Sequence, residues 1–301
     1  MIIKNRHEII FLYDVKDANP NGDPFENRPR IDQETGINYV TDVRLKRTIR
    51  DYILHYKKAD SGWGVLIREE RKEDGSLKTK EELIRGESQS TLLKEYVDLR
   101  LFGYTLAIRD SNVPRELIGP VQFGLGRSLN RPVVEIIAGT TVSPSDVGKE
   151  QGTKTERTVV FYSLICFHGV VNENGAQQTG LSEDDLGLML EAIWNGTKNL
   201  LTESKIGHQP RLLLDIIYKE SEFHLGDLHR LISASFLKSE NEVRDIEDIE
   251  LNMQRLVDVI NSNNDRIEAI NYKADKRLKI VGNYFKDKFP TVTVKELEIK
   301  D

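Results

Sequence analysis

Apolar residues crowd into IIFLYDV, Ile9 to Val15, and then give way abruptly to NPNGDP, Asn19 to Pro24. The segment Ile2 to Val15 reads as a strand rich in Ile, Phe and Tyr, closed by an Asn-Pro-Asn-Gly turn. A helical period follows: Thr41 or Asp42 supplies an N-cap, and Leu45, Ile49, Tyr52, Ile53 and Tyr56 share one face to about Tyr56. Residues 57–90 are charged and glycine-containing, as in REERKEDGSLKTKEE, and read as an exposed insertion; a second helical pattern covers about Leu92 to Phe102. GPVQFGLGRSLN, Gly119 to Asn130, alternates Val121, Phe123 and Leu125 with Gln122, Gly124 and Gly126, a strand with one bulky and one nearly bare face. VVEIIAGTTV and VVFYSLICFHGVV are strands joined by the polar stretch Ser143 to Thr158, which makes an extended hairpin arm. Ser182 caps a helix carrying Leu186, Met189, Leu190, Ile193 and Trp194, with Asn195-Gly196 as its expected end; Arg211 to Tyr218 is again a strand.

Without the insertions the order is strand, helix, strand, strand, helix, strand. That is an α+β, ferredoxin-like βαββαβ pattern shared with RNA-recognition domains. The expected divisions are residues 1–56 for the first strand, turn and helix, 57–118 for an inserted helical region, 119–220 for the remaining strands with the hairpin at 143–158, and 221–301 for an acidic flank or subdomain. The last part carries a helix near Gln254 to Asn261 and a strand near Ile267 to Lys273.

At 301 residues the chain can bury a large core. No apolar run approaches the roughly 20 residues that span a bilayer, and MIIKNRHEII lacks a secretory core, so a cytoplasmic location is expected. The single cysteine, Cys166, excludes an internal disulfide framework and a multi-cysteine zinc site. A net charge of −6 argues against a polyanion partner until its distribution is examined. Residues 1–180 balance at 26 basic and 26 acidic, residues 181–260 hold 8 against 16, and Thr41 to Lys58 concentrates six Lys and Arg against two Asp. Positive charge is local to the first helix.

Catalytic motifs are largely excluded. An EF-hand loop beginning at Asp17 would place Arg28 where a bidentate glutamate is required. Gly148-Lys149 lacks the upstream glycine of a P-loop and is followed by glutamate; GLGRS has two glycines of a dinucleotide fingerprint without the third. No GxSxG elbow occurs, Cys166 lies in an apolar strand, and His224 and His229 are spaced off a common helix face. No catalytic group, metal or cofactor is expected.

The basic helix carries more information. Lys46 and Arg50, four apart, project side by side, with Arg47 and Arg44 on the adjoining stripe; such a face holds consecutive phosphates or, more simply, faces solvent. Glycines in the Gly119–Asn130 strand mark a close approach, either of a neighbouring protein segment or of a nucleic-acid backbone across the sheet.

NPNGDP, PRID followed by TG, VTDVRLKRTIRDY, FG after a helix and GPVQFGLGRS together resemble the backbone subunit of type I CRISPR surveillance complexes (Cascade), the seventh CRISPR-associated family of the RAMP superfamily. The resemblance runs from the first strand to at least Tyr218, and RLLLDIIYKESEFHLGDLHRLIS with the charged tail looks more like subtype I-B than I-C. It implies an RNA-recognition-like palm, helical fingers and a hairpin thumb, polymerising in a filament along a CRISPR guide RNA without sequence preference and covering a flipped nucleotide at about six-nucleotide intervals. Implied partners are further copies of the chain, target DNA paired to the guide, guide-end-binding, large and small subunits, and a recruited nuclease-helicase. By motif position Lys46 and Arg50 match the phosphate-binding helix, Thr41 the hydroxyl residue before it, and Asn19 and Asn21 the turn beside the guide. The RNA-contact set then comprises Asn19, Asn21, amides near Gly22, Thr41, Arg44, Lys46, Arg47, Arg50, Gln122, the bare face at Gly124 and Gly126, and thumb residues Lys149, Lys154 and Arg157. Two rivals remain: a metal-dependent RNA endonuclease using Asp146, and a stand-alone single-strand binder.

Overall fold

A computed structural model describes residues 1–57, 62–84, 86–106, 113–140, 154–200, 202, 204–282 and 285–300. In chain order the elements are β1 (His7–Ala18), β2 (Tyr39–Val40), α1 (Asp42–Tyr56), α2 (Lys80–Ile84), α3 (Gln89–Glu95), α4 (Val97–Phe102), β3 (Gly103–Thr105), β4 (Glu116–Ile118), β5 (Val121–Phe123), β6 (Gly126–Ser128), β7 (Val134–Thr140) and β8 (Lys154–Val171). There follow α5 (Glu173–Thr179), α6 (Glu183–Lys198), β9 (His208–Tyr218), β10 (Ser233–Phe236), β11 (Ile249–Asn252), α7 (Gln254–Ser262), β12 (Ile267–Ala274), β13 (Lys279–Ile280) and β14 (Thr293–Glu296).

The main sheet runs β14-β12-β9-β1-β8-β6-β2, with β5 and β7 also paired to β8. β1 is antiparallel to both neighbours, from His7↔Val171 to Ala18↔Val160 on one side and from His7↔Ile217 to Val15↔His208 on the other. Because a strand alternates faces, the apolar run of β1 must be covered twice. Ile9, Phe11, Tyr13 and Val15 join Leu45, Ile49 and Ile53 of α1 and Met189 and Ile193 of α6 in one core. Ile10 and Leu12 join Leu164, Leu212, Leu214 and Ile216 in a second core, closed by Leu228, Ile246, Leu251, Leu256 and Ile260. Each such buried side chain contributes about 1.5–3 kcal/mol, so this apolar set outweighs exposed ion pairs such as Lys16–Asp245, worth about 0–1 kcal/mol.

The C-terminal residues are therefore a cover for the sheet and, through β12 and β14, an extension of it. Buried polar groups fasten the cover: Asp14 accepts from Arg211 at 2.8 Å and from Tyr162 at 2.8 Å, and Arg211 reaches Asp275 at 2.9 Å. A third cluster, Leu66, Ile84, Leu92, Leu99, Tyr104, Leu106 and Val113, gives the 57–118 region its own small core.

Several expectations shift. The first strand begins at His7 and ends at Ala18. The Leu92–Phe102 pattern is two helices, with Tyr96 closing α3 and opening α4. Asn195-Gly196 lies inside α6: a Cβ on Gly196 would stand 3.1 Å from the Thr48 carbonyl and from Tyr52 of α1, so this glycine serves helix contact and not termination. Gly126 is also reassigned. It is buried, and an added Cβ would lie 2.4 Å from the Phe167 ring, so that spot is filled by protein. Phe123 covers Gly169 reciprocally, again at 2.4 Å, whereas Gly124 is exposed with its nearest obstacle the His168 carbonyl at 3.8 Å. Gly126→Ala is expected to cost about 1–3 kcal/mol by overpacking, and Gly124→Ala to change stability by less than about 0.5 kcal/mol. Urea unfolding of the two variants measures the contrast, and equal losses would refute the ring-over-glycine account.

Candidate functional site

The turn after β1 and the start of α1 form one hydrogen-bonded unit. Asn21 Oδ1 accepts from the Thr41 amide at 2.9 Å and from Thr41 Oγ1 at 3.0 Å, and Thr41 Oγ1 in turn caps α1 by accepting from the Arg44 amide at 3.3 Å. Asn19 is buried, with Nδ2 donating to the Asn27 carbonyl at 2.6 Å and its amide to the Ser204 carbonyl at 3.0 Å. A Cβ on Gly22 would meet Asn27 Oδ1 at 1.9 Å, so a side chain there would displace the Asn27 side chain from the turn. Asp23 accepts from the amides of Glu26, Phe25 and Arg28 at 2.7–2.9 Å, which hold its carboxyl below the usual range. Asn19 and Asn21, expected to point at a ligand, instead spend these polar atoms on holding the turn to the helix.

The cations of α1 fall into two groups. Lys46 pairs with Asp42 at 3.0 Å, approaches Gln122 Oε1 at 3.4 Å and lies 5.6 Å from the centre of the Phe102 ring. Gln122 itself donates to the Gly119 carbonyl at 2.9 Å. Arg50 lies 5.1 Å from the Phe102 centroid and binds Asp98 at 2.9 Å; the fully buried Asp98 also accepts from the amides of Leu66 and Ile67. Arg50 is thus a clasp between α1 and the inserted region. Arg47 is half-exposed and bound to Asp51 at 2.7 Å.

Arg44 differs. Its guanidinium is half-buried and donates to Thr48 Oγ1 at 3.2 Å, and burial lowers its proton affinity. Lys205 approaches from the segment before β9, only 8% exposed, donating to the Asn19 carbonyl at 2.6 Å. Burial, then the charge of Arg44, pushes the Lys205 ammonium down to about 8. His208, buried beside Tyr13 with its ring centre 5.6 Å away, is pushed down to about 3 by burial and by Lys205 and Arg44. Neither Lys205 nor His208 stood out in the sequence. A single Lys and a single His in TESKIGHQP have no periodicity, and only the fold of this segment against the turn brings them to Arg44.

A cleft of about 300 Å³ separates the turn from the base of the hairpin arm, lined by residues that include Asn27, Arg28, Ile136, Arg157 and Ser204. β7 and β8 pair from Val134↔Val160 to Thr140↔Lys154, so the arm is longer at its base than Ser143 to Thr158. Arg157 is exposed on it, Lys154 stands at its last described rung, and Lys149 and Asp146 lie outside the described residues. Among the described residues no group of three or more His, Cys, Asp or Glu is placed to hold a metal, and no helix is long and apolar enough to cross a membrane. Burial pushes the Cys166 thiol up to about 12, far from thiolate chemistry.

The family described as CRISPR-associated protein Cas7 matches residues 5–254. A Haloferax volcanii protein described as CRISPR-associated protein Cas7 is 32% identical over 314 aligned positions, covering 93% of this chain and 90% of the relative. Two solved chains share the fold at a TM-score of 0.54. One, described as CRISPR RNA-guided surveillance complex, pre-nicking, is 12% identical, with 94% of this chain and 98% of that chain covered. The other, described as CRISPR RNA-guided surveillance complex, is 15% identical, with 93% and 95% covered.

Two outcomes follow from the charge geometry. Arg50→Ala strands the buried Asp98 carboxylate and is expected to cost about 3–5 kcal/mol in denaturant unfolding, whereas Arg47→Ala costs less than about 1 kcal/mol. His208 stays neutral in the fold but takes a proton below about 6.5 when unfolded. The unfolded state therefore binds more protons, and stability falls as pH drops from about 6.5 towards 3. Thermal unfolding of His208→Leu between about pH 6.5 and 4 should show a shallower loss than the parent; an unchanged slope would mean that the histidine is not held neutral.

Proposed function

The chain belongs to the Cas7 family of CRISPR-associated proteins, and from that premise we propose that it is a non-catalytic backbone subunit that polymerises along a CRISPR guide RNA, of subtype I-B. The observation that carries this reading is the Asn21–Thr41 link, which fuses the NPNGDP turn to the cation-bearing start of α1 on a chain whose family match spans residues 5–254. The sheet order β9-β1-β8 with β5 and β6 outside, and α1 and α6 on one face, supports reading these elements as a ferredoxin-like, RNA-recognition-like palm. The residues around Leu66 to Val113 serve as fingers, and the β7–β8 arm as the thumb.

In this reading the turn scaffold of Asn19, Asn21, Gly22 and Thr41 sets the groove, while Arg44, Lys46, Arg47 and Gln122 contact phosphate and sugar, and exposed Gly124 leaves room for the backbone. Arg50 supports Lys46 through their common seat on Phe102. Lys149, Lys154 and Arg157 act from the thumb. The guide then presents short segments for pairing with target DNA, in a cytoplasmic complex with guide-end-binding, large and small subunits and a recruited nuclease-helicase.

Native mass measurements with single-stranded RNAs of increasing length test it. Bound copies should rise by one per about six nucleotides, with the RNA left uncut, and Lys46→Met should weaken loading several-fold. One copy bound whatever the length, or cleaved RNA, would overturn the assignment.

A further inference from the structure

We infer that the cleft between the NPNGDP turn and the base of the β7–β8 arm seats one ribose of a bound strand, with Asn19 Oδ1 accepting from its 2′-hydroxyl, and so distinguishes RNA from DNA. This deepens the guide-RNA reading, in which Asn19 serves the turn alone, and rests on that reading.

Asn19 carries four polar groups, and three are engaged within the protein. Its amide donates to the Ser204 carbonyl at 3.0 Å, its carbonyl accepts from Lys205 Nζ at 2.6 Å, and its Nδ2 donates to the Asn27 carbonyl at 2.6 Å. The last bond fixes the side-chain orientation, because turning the amide over would set two acceptors face to face. Oδ1 is then left as a buried acceptor with no donor among the described residues, on a residue only 2% exposed. Such an atom is costly unless something outside the chain meets it. Asn19 lines the cleft of about 300 Å³ together with Asn27 and Ser204, two of the residues that hold its other groups, so the unmet acceptor sits at a wall that a ligand reaches.

The missing partner must be a donor, and this decides which part of a strand belongs here. A phosphodiester offers only acceptors and would repel Oδ1. The lining charges agree: Glu26 and Glu156 offset Arg28 and Arg157, with Arg28 already bound to Glu26 at 3.0 Å, so the cleft lacks the net positive charge that holds a phosphate. Base edges carry donors, but at different positions in each base, and a subunit that takes any guide sequence cannot depend on them. The 2′-hydroxyl is the donor that every nucleotide of RNA carries and DNA lacks. About 300 Å³ is at the small end of ligand clefts, room for one sugar and not for a run of stacked bases. Half-exposed Ile136 on the arm wall offers apolar surface for the C–H face of a ribose.

The test measures the affinity of the full-length protein for two homouridine strands of about eight nucleotides, one RNA and one carrying 2′-fluorine throughout. The fluorine keeps the ribose pucker but donates no hydrogen bond. The parent should bind the RNA roughly three- to tenfold more tightly, the range of one neutral hydrogen bond. Asn19→Ala should bring the two affinities within about twofold of each other. Loss of its bond to Asn27 loosens the turn for both strands alike, so only the ratio reports the 2′-hydroxyl. Arg47→Met, which removes a phosphate contact, should weaken both strands and leave the ratio as in the parent.

Equal binding of the RNA and the 2′-fluoro strand by the parent overturns the proposal, the acceptor then being met by water alone. So does a parental ratio that survives Asn19→Ala. Should Asn19→Ala fail to fold, Ile136→Trp carries the test from the other wall: its indole fills the cleft from an exposed position, and the ratio should fall to about one. A parental ratio in Ile136→Trp refutes the cleft as the seat of the sugar. If the parent binds neither strand, the function proposed above fails, a result distinct from a parent that binds both equally.

Discussion

The structure depends on a sheet whose central strands are apolar on both faces. β1 carries Ile9, Phe11 and Tyr13 to one side and Ile10 and Leu12 to the other, and β8 and β9 do the same. Two covers are obligatory, because leaving either face in water would forfeit many buried side chains at about 1.5–3 kcal/mol each. Helices α1 and α6 form one cover. The residues from Leu228 to Val292 form the other, and ion pairs of Asp14, Arg211 and Asp275 set its position.

That constraint decides where a ligand can bind. RNA-recognition domains generally read bases on an open sheet face. Here the sheet face opposite α1 and α6 is occupied by the protein's own C-terminal residues, so polar chemistry is displaced to the ends of strands and the starts of helices. The seam of the Asn19–Asp23 turn and the Thr41 cap is such a place. Its asparagines and glycine are used to build the seam, and the cations around it supply its field.

The cations also show why a count of basic residues misjudges a site. Six Lys and Arg on or beside α1 look equivalent in the sequence. In the fold Arg50 is half of a clasp to buried Asp98, Lys46 is shared between Asp42 and Gln122, and Arg47 leans on Asp51. Lys57 pairs with Glu191, and among the described residues of this set Arg44 alone has no carboxylate within ion-pair distance, its guanidinium donating instead to Thr48 Oγ1. An acidic protein can thereby keep a locally positive seam.

Local patterning was enough to place α1 almost to the residue, to mark β8 as a central strand buried on both faces, to find α7 and β12, and to single out the turn and the basic helix. Those features rest on short-range rules: side-chain period, capping and turn chemistry. The family, too, was legible, because its motifs are contiguous stretches. Tertiary structure alone decided the rest. Gly126 and Gly196 are bare because the Phe167 ring and helix α1 press against them, and nothing within a few residues of either glycine announces those neighbours. The second cover of the sheet and the bond from Lys205 to the Asn19 carbonyl arise likewise from contacts between distant segments. Burial and charge compensation are properties of what surrounds a side chain in space, and a sequence states only what precedes and follows it.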